Sequence, residues 1–395
     1  MNPADVVILA GARTAQAKIL GQLATFSAPQ LGAHAISAAL HRSGVTPEQV
    51  DYVVMGQVLQ AGVGQNPARQ AAVGAGIPLS VPAETVNKVC LSGLTSIISA
   101  ARMVRSGEAD VVVAGGQESM TNAPHLALGV RQGKSYGDLL LEDSVAKDGL
   151  VDAAAERSMG SLTEGGNATR GISRTQQDEI AVASHHRAAQ AASEGVFDEE
   201  IAPLTVPQRN ANPLVVDRDQ GIRAEATLES MAKLRPAFDR PGTITAGNCS
   251  PLTDGAAAVV LATRSYAERH GLRYLAVVGA PGQVAGMDTS LHSQPSHAIK
   301  HALARAGWSV HELDFIEINE AFASVLVQSL QDLNYPLQKT NIHGGAVALG
   351  HPIGASGARL ALHASLELAR RGSGKAAVSL CGGGGQGEAL LLYRD

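Results

Sequence analysis

Ala35-Ile36-Ser37-Ala38-Ala39-Leu40-His41-Arg42-Ser43-Gly44 returns later in the chain as Ala298-Ile299-Lys300-His301-Ala302-Leu303-Ala304-Arg305-Ala306-Gly307. Ala, Ile, Ala, Leu, Arg and Gly recur in register, and each helix-like stretch closes on a glycine suited to a C-cap. A strand-like run follows each copy, Asp51-Tyr52-Val53-Val54-Met55 and Asp314-Phe315-Ile316-Glu317-Ile318. Further on, Ser92-Gly93 and Ser356-Gly357 open long helical stretches that end near Gly107 and Gly372. Strand-like Val111–Ala114 then matches Ala376–Ser379, each running into a glycine cluster. Matches in this order mark a duplicated α/β unit, and the alternation of strands with helices predicts parallel sheets.

The copies differ in one place. Gly385-Gln386-Gly387-Glu388 passes straight into the strand-like Ala389–Tyr393, whereas Gly116-Gln117-Glu118 is separated from its continuation, Gly255–Leu261, by a long segment. The expected division is therefore a first half over 1–120 plus 247–272, an inserted loop domain over 121–246, and a second half over 273–395. The insertion should hold a helix capped by Ser173, with Gln176 completing a capping box, and ending near Gly195. Prolines 203, 207, 213, 236 and 241 mark loops around it. Such an insertion suits a lid or a cofactor platform.

Bulk properties exclude several classes. Hydrophobic residues make up 45% and charged residues 17% of the 395, an ordinary globular balance. Aromatics at 3% are too few for base stacking, and a net charge of −5 gives no electrostatic reason to expect nucleic acid or an anionic membrane. No apolar run approaches the roughly 20 residues that span a bilayer. Met1–Asp5 shows no secretory pattern and Tyr393–Asp395 no peroxisomal address. Cys90, Cys249 and Cys381 are too far apart for zinc-type spacing and odd in number, so a reducing cytoplasm and no metal are expected.

Cys90 lies in Val86-Asn87-Lys88-Val89-Cys90-Leu91-Ser92-Gly93, just ahead of a helix start. Helix N–H groups and Lys88 would favour the thiolate, the nucleophilic form; the alternative is a small buried hydrophobe. His351 occupies nearly the same place in the second half, so two helix starts meeting across a pseudo-twofold axis would bring imidazole and thiol together. Otherwise it is a packed loop histidine. Cys381 opens Cys381-Gly382-Gly383-Gly384-Gly385-Gln386-Gly387, whose N–H groups can face a developing oxyanion. The Gly-x-Gly-x-x-Gly pattern in that run is followed by a strand, which rules out a dinucleotide fingerprint. Asn319, in Asn319-Glu320-Ala321-Phe322 ahead of another helix, reads as an N-cap or as a functional residue. Cys249 has no basic neighbour and reads as structural, and His185, His186, His292, His297 and His301 read as packing or surface residues.

Together these stretches resemble the thiolase family along nearly the whole chain. Residues 341–357 look like its histidine signature and 376–389 like its second-cysteine signature; Asn87–Gly93, 319–322, Ser230–Phe238 and Thr245–Asn248 also match. The resemblance implies a thiolase-like duplicated α-β-α-β-α five-layered α/β core, two five-stranded halves, an inserted loop domain that holds coenzyme A, and a homodimer or homotetramer. It implies that Cys90 attacks an acyl-CoA after His351 draws off its proton, and that Cys381 removes the α-proton of a second acetyl-CoA. Asn319, through a water, would share one oxyanion hole with His351; the N–H groups of Cys90 and Gly383 would form the other. Arg223, Ser230 and Ser250 would contact the CoA moiety. Coenzyme A thioesters serve as substrate and product, with no further cofactor.

The implied reaction is the reversible Claisen condensation of two acetyl-CoA; the rival is degradative cleavage of longer or branched 3-ketoacyl-CoA. Three departures bear on acyl-chain preference. Leu91 replaces a smaller residue, Ser158 stands where the acetoacetyl-CoA-forming members have histidine, and Leu291-His292-Ser293-Gln294-Pro295 differs from their Met-Gly-x-Gly-Pro.

Overall fold

The computed structural model describes residues 2–208 and 212–395. Short runs rich in Val, Leu, Ile and Ala form the central strands: β1 (Val6–Arg13), β2 (Tyr52–Gly56), β3 (Ala83–Val86), β4 (Val111–Glu118), β5 (Thr253–Thr263), β6 (Ala276–Ala285), β7 (Phe315–Ile318), β8 (Gly374–Gly382) and β9 (Gln386–Arg394). Apart from the edge strand β3 and the later part of β6, their apolar side chains are mostly buried on both faces, as a sheet covered on both sides requires. The principal helices are α1 (Ala28–Ser43), α2 (Ser92–Ser106), α3 (Met159–Arg170), α4 (Arg174–Ser193), α5 (Gln294–Ala306), α6 (Ala323–Leu333) and α7 (Ser356–Arg371). The four repeat helices α1, α2, α5 and α7 all end at glycines in left-handed backbone, Gly44, Gly107, Gly307 and Gly372.

Strand order exposes the duplication directly. Across the sheet it runs β7-β8-β9-β6-β1-β5-β4-β2-β3. Read outward from the β6/β1 seam, each half repeats the same sequence of pairings. The seam strand is antiparallel to the next (β1 to β5, β6 to β9), that strand is antiparallel to its neighbour (β5 to β4, β9 to β8), and a parallel partner follows (β4 to β2, β8 to β7). The first half ends in a parallel fifth strand, β3; in the second half that position is reduced to one parallel bridge between Ile316 and Thr340. Among the described residues, the strand pairing that joins the two sheets is Val7↔Val277 and Ile8↔Ala276.

The expectation of parallel sheets therefore holds only for β2, β3 and β4 and for β7 and β8. The reason is local: β8 and β9 are joined by the turn Gly383–Gly385, far too short for the crossover that parallel neighbours need. Five layers result. Helices α2 and α7 lie between the sheets in one core with Leu94, Ile97, Leu360 and Leu362; α1 covers the outer face of the first sheet, and α5 and α6 that of the second.

Residues 119–252 leave the first half between β4 and β5. Ser173 caps α4 with Gln176 in a capping box, as read from the sequence, and the helix stops before Gly195. Buried ion pairs fix this segment to the core: Arg13 at the end of β1 donates to both oxygens of Asp219 at 2.7 and 2.8 Å and to Glu200 at 2.9 Å. Their geometry is bidentate and buried, so deleting one partner would strand a charge.

Candidate active site

Ligand sites of α/β sheets lie beyond the carboxyl ends of parallel strands. Here those ends are Gly56, Glu118, Ile318 and Gly382, and the N-termini of α2 and α7 open beside them. The two helices cross where each carries glycine. A Cβ on Gly93 would lie 2.9 Å from the Ala358 nitrogen, and one on Gly357 would lie 2.5 Å from the Leu94 nitrogen. Only bare Cα atoms permit that approach. It draws the segments preceding both helices together, and those segments carry Cys90 and His351.

Each of the two follows a residue in left-handed backbone, Val89 at φ +51° and Gly350 at φ +114°. For β-branched Val89 this is strained, on the order of 1–3 kcal/mol. It is held by a tight set of bonds: Ser92 Oγ accepts from the Lys88 N–H at 2.8 Å and donates to the Val89 carbonyl at 2.6 Å, while Asn87 Oδ1 accepts from the Val89 N–H. Cys90 is half-buried against Leu252 and Ile353. Burial pushes its thiol up to about 12, opposed by the N–H groups of Cys90 itself and of Gly383.

This overturns the expected thiolate. The helix start does not outweigh desolvation, and Lys88 is engaged elsewhere, 3.0 Å from Glu388. Cys90 rests as a thiol and needs a base.

His351 is buried. Its Nδ1 lies 2.6 Å from Ser356 Oγ, and that hydroxyl is 3.1 Å from the Pro352 carbonyl, which can only accept. The single hydroxyl proton goes to the carbonyl, so Ser356 accepts from Nδ1–H and Nε2 keeps its lone pair. Burial, and then the charge of Arg359, lowers the imidazole to about 3, so it is neutral. Asn319, fully buried, sets its Nδ2 3.4 Å from Nε2 and 3.5 Å from Nδ1, over the ring rather than in line with one nitrogen. Its Oδ1 has no partner among the described residues. Asn319 is not an N-cap: α6 starts at Ala323 with Phe322 in that position.

Cys381 ends β8 inside an apolar cluster with Met159, Ile244, Leu291 and Phe322. Burial, and then repulsion from Cys90 whenever that sulfur ionises, pushes its thiol well above the ordinary range. Beyond it, Gly382 faces Leu91 and Gly383 faces Val89, so the glycine turn runs alongside the Cys90 segment. Segment 249–253 closes the site, bridging Cys249 to Phe322 and Leu252 to His351. Cys90, His351, Asn319, Cys381 and Gly383 are thus gathered at one end of the sheet.

Of the three residues assigned to CoA, both serines hydrogen-bond to backbone carbonyls. Arg223 and Ser230 are exposed on the insertion, with Ser230 Oγ donating to the Thr227 carbonyl at 2.8 Å, and Ser250 is half-buried, donating to the Ala321 carbonyl at 3.1 Å. Ser158 caps α3, accepting from the Ser161 N–H at 3.1 Å.

Sequence reasoning missed Glu118. Its buried carboxylate accepts from the N–H groups of Val58, Leu59 and Gly354 at 2.9–3.1 Å, bracing both walls of the Cys90 pocket, and burial raises it to about 7. The signal was an acidic residue closing the Val- and Gly-rich run of β4.

The thiolase N-terminal domain family matches residues 6–265, and the thiolase C-terminal domain family matches residues 272–394. The chain belongs to the thiolase family. Among its relatives within that family, a "Probable acetyl-CoA acetyltransferase" of Mycolicibacterium smegmatis is 54% identical over 98% of this chain and 100% of its own length. An acetyl-CoA acetyltransferase of Cupriavidus necator is 49% identical over 99% of both chains. One of Pseudomonas aeruginosa is 47% identical over 99% of this chain and 100% of its own. No helix among the described residues is long and apolar enough to cross a membrane.

Proposed function

We propose that this protein is an acetyl-CoA C-acetyltransferase, catalysing the reversible condensation of two acetyl-CoA to acetoacetyl-CoA and CoA. The observation that carries the reading is the gathering of a thiol, a neutral imidazole whose Nε2 keeps its lone pair, an amide and a second thiol at one end of the sheet. His351 takes the Cys90 proton, and the sulfur attacks the thioester. CoA leaves as a thiolate and takes the proton of Cys381, so the acetyl group stays on Cys90, Cys381 becomes a thiolate and His351 keeps the Cys90 proton. The N–H groups of Cys90 and Gly383, whose influence opposes the rise of the thiol, receive the oxyanion of that step.

The Cys381 thiolate then removes the α-proton of a second acetyl-CoA, the carbanion attacks the acetyl group on Cys90, and Cys90 leaves as a thiolate that takes its proton back from His351 as acetoacetyl-CoA is released. A thiolate in so apolar a pocket is a stronger base than one in water. His351 and Asn319 stabilise the enolate oxygen. Arg223, Ser230 and Ser250 bind the CoA moiety on the inserted segment, and no cofactor beyond the CoA thioesters takes part. Free thiols suit a reducing cytoplasm, where the chain works as a homodimer or homotetramer.

Mixing the protein with acetyl-CoA alone, followed by peptide mass spectrometry, tests the reading. The expected result is an adduct of about 42 Da on the Cys90 peptide, the acyl-enzyme. No adduct, or one confined to the Cys381 peptide, overturns it.

A further inference from the structure

His292 replaces a glycine of the pattern noted above, and its imidazole is fully buried. Its Nε2 lies 2.8 Å from Asn167 Oδ1 on α3, and a Cβ on Gly166 would come within 2.4 Å of the ring. Asn167 is itself held, donating through Nδ2 to Thr243 Oγ1 at 3.0 Å, and Thr243 donates to Glu164 on the same helix at 2.7 Å. One turn of structure is therefore bolted to another, with no slack at the joint.

What the joint holds matters for the chemistry. The segment around His292 touches the catalytic groups twice. Leu291 packs in the cluster that surrounds Cys381. Gly286 donates its N–H to the Gly385 carbonyl at 2.8 Å, and a Cβ on Gly385 would lie 2.0 Å from the Asp288 carbonyl. The turn Gly383–Gly385, whose first residue lies against Val89 beside Cys90, is thus braced from behind by residues 286–288. The opposite end of α3 reaches the same site through Met159. Nothing in the catalytic chemistry uses His292 itself.

We infer that His292 is a positioning residue: bonded to Asn167, it locks segment 286–294 to helix α3, so that the inserted segment and the Gly383 donor keep one relative geometry. The inference rests on the acyl-transfer reading given above. A merely space-filling ring would tolerate loss of the hydrogen bond; a strut would not. The difference falls on kcat, because the donor acts on the oxyanion formed during turnover, whereas CoA recognition lies elsewhere on the insertion.

The test compares H292F, which keeps the bulk and removes the donor, with H292Q, whose amide can donate to Asn167. Acetoacetyl-CoA thiolysis by the full-length protein should show kcat reduced about tenfold or more in H292F, with KM for CoA within twofold of wild type, and kcat restored to within about threefold in H292Q. Should H292F fail to fold, N167S removes the acceptor while leaving the ring, and should give the same loss of kcat. Unchanged kcat in the folded variants, or equal loss in H292F and H292Q, overturns the inference. Wild-type protein that neither turns over nor acetylates Cys90 would instead overturn the function reading, so the two failures are distinguishable.

Discussion

Gly93 and Gly357 meet face to face where α2 crosses α7, each bringing its Cα against the backbone of the other helix just beyond its partner glycine. Alanine at either position would press a methyl group to within 3 Å of backbone nitrogen, where no side chain can swing aside. Each single substitution should destabilise the fold by about 1–3 kcal/mol through overpacking and cost more activity than stability, since it spreads the segments carrying Cys90 and His351. Gly165, inside α3 with nothing near its absent Cβ, is the control. Gly165→Ala should stabilise by about 0.5–1 kcal/mol. Thermal melts and acetoacetyl-CoA turnover on the three variants check the contrast.

The hydrogen bond from His351 to Ser356 fixes which nitrogen carries the proton. Without it the ring can take either tautomer, and only one leaves Nε2 free. Ser356→Ala should lower kcat about tenfold, the worth of one such bond, with KM little changed. Ser356→Thr, which keeps the hydroxyl, should recover most of the rate. Steady-state kinetics on both variants decide it.

Alkylation of Cys90 by iodoacetamide should report the raised thiol directly. Only the thiolate reacts, and for an acid whose pKa is raised the charged form is scarce at neutral pH: with a value of about 12, on the order of one molecule in ten thousand at pH 8. The rate should climb tenfold per pH unit from 7 to 10 without levelling. A plateau near neutral pH would mean that the proton already resides on His351 in the resting protein.

Asn319→Ala removes the amide that lies over the imidazole and leaves its cavity dry of donors. Condensation should fall by about 10²–10³, as for a lost oxyanion donor, while acetylation of Cys90 by acetyl-CoA should fall much less, because that step relies on Gly383 and the Cys90 N–H. Rapid-quench measurement of the acyl-enzyme against overall turnover separates the two.

Much of this was readable from the residues. The repeat showed itself because Leu40 and Leu303 pack at the same register and because Gly44 and Gly307 close their helices in the same left-handed turn. Cys90 and His351 were legible from their place before Ser92 and Ser356. Sheet direction was not, because an alternating pattern cannot distinguish a helix crossover from the tight Gly383–Gly385 return. The state of Cys90 was misread for a related reason: Lys88 looks free in sequence, but its partner Glu388 lies three hundred positions away. Desolvation, likewise, is a property of the closed pocket and of no single residue. Glu118 went unread and His292 was read only as a packing or surface residue and a departure, because a lone acid or imidazole shows its partners only when the chain is folded.

The β6/β1 seam carries a consequence for how such a site can arise. A pair of separate, identical subunits meeting at that seam would have to present the same side chain from both, two sulfurs or two imidazoles. Joining them in one polypeptide frees each side to mutate alone, so that one supplies the attacking atom and the other the proton acceptor. Asymmetric chemistry on a symmetric scaffold is what the covalent link between the halves makes available.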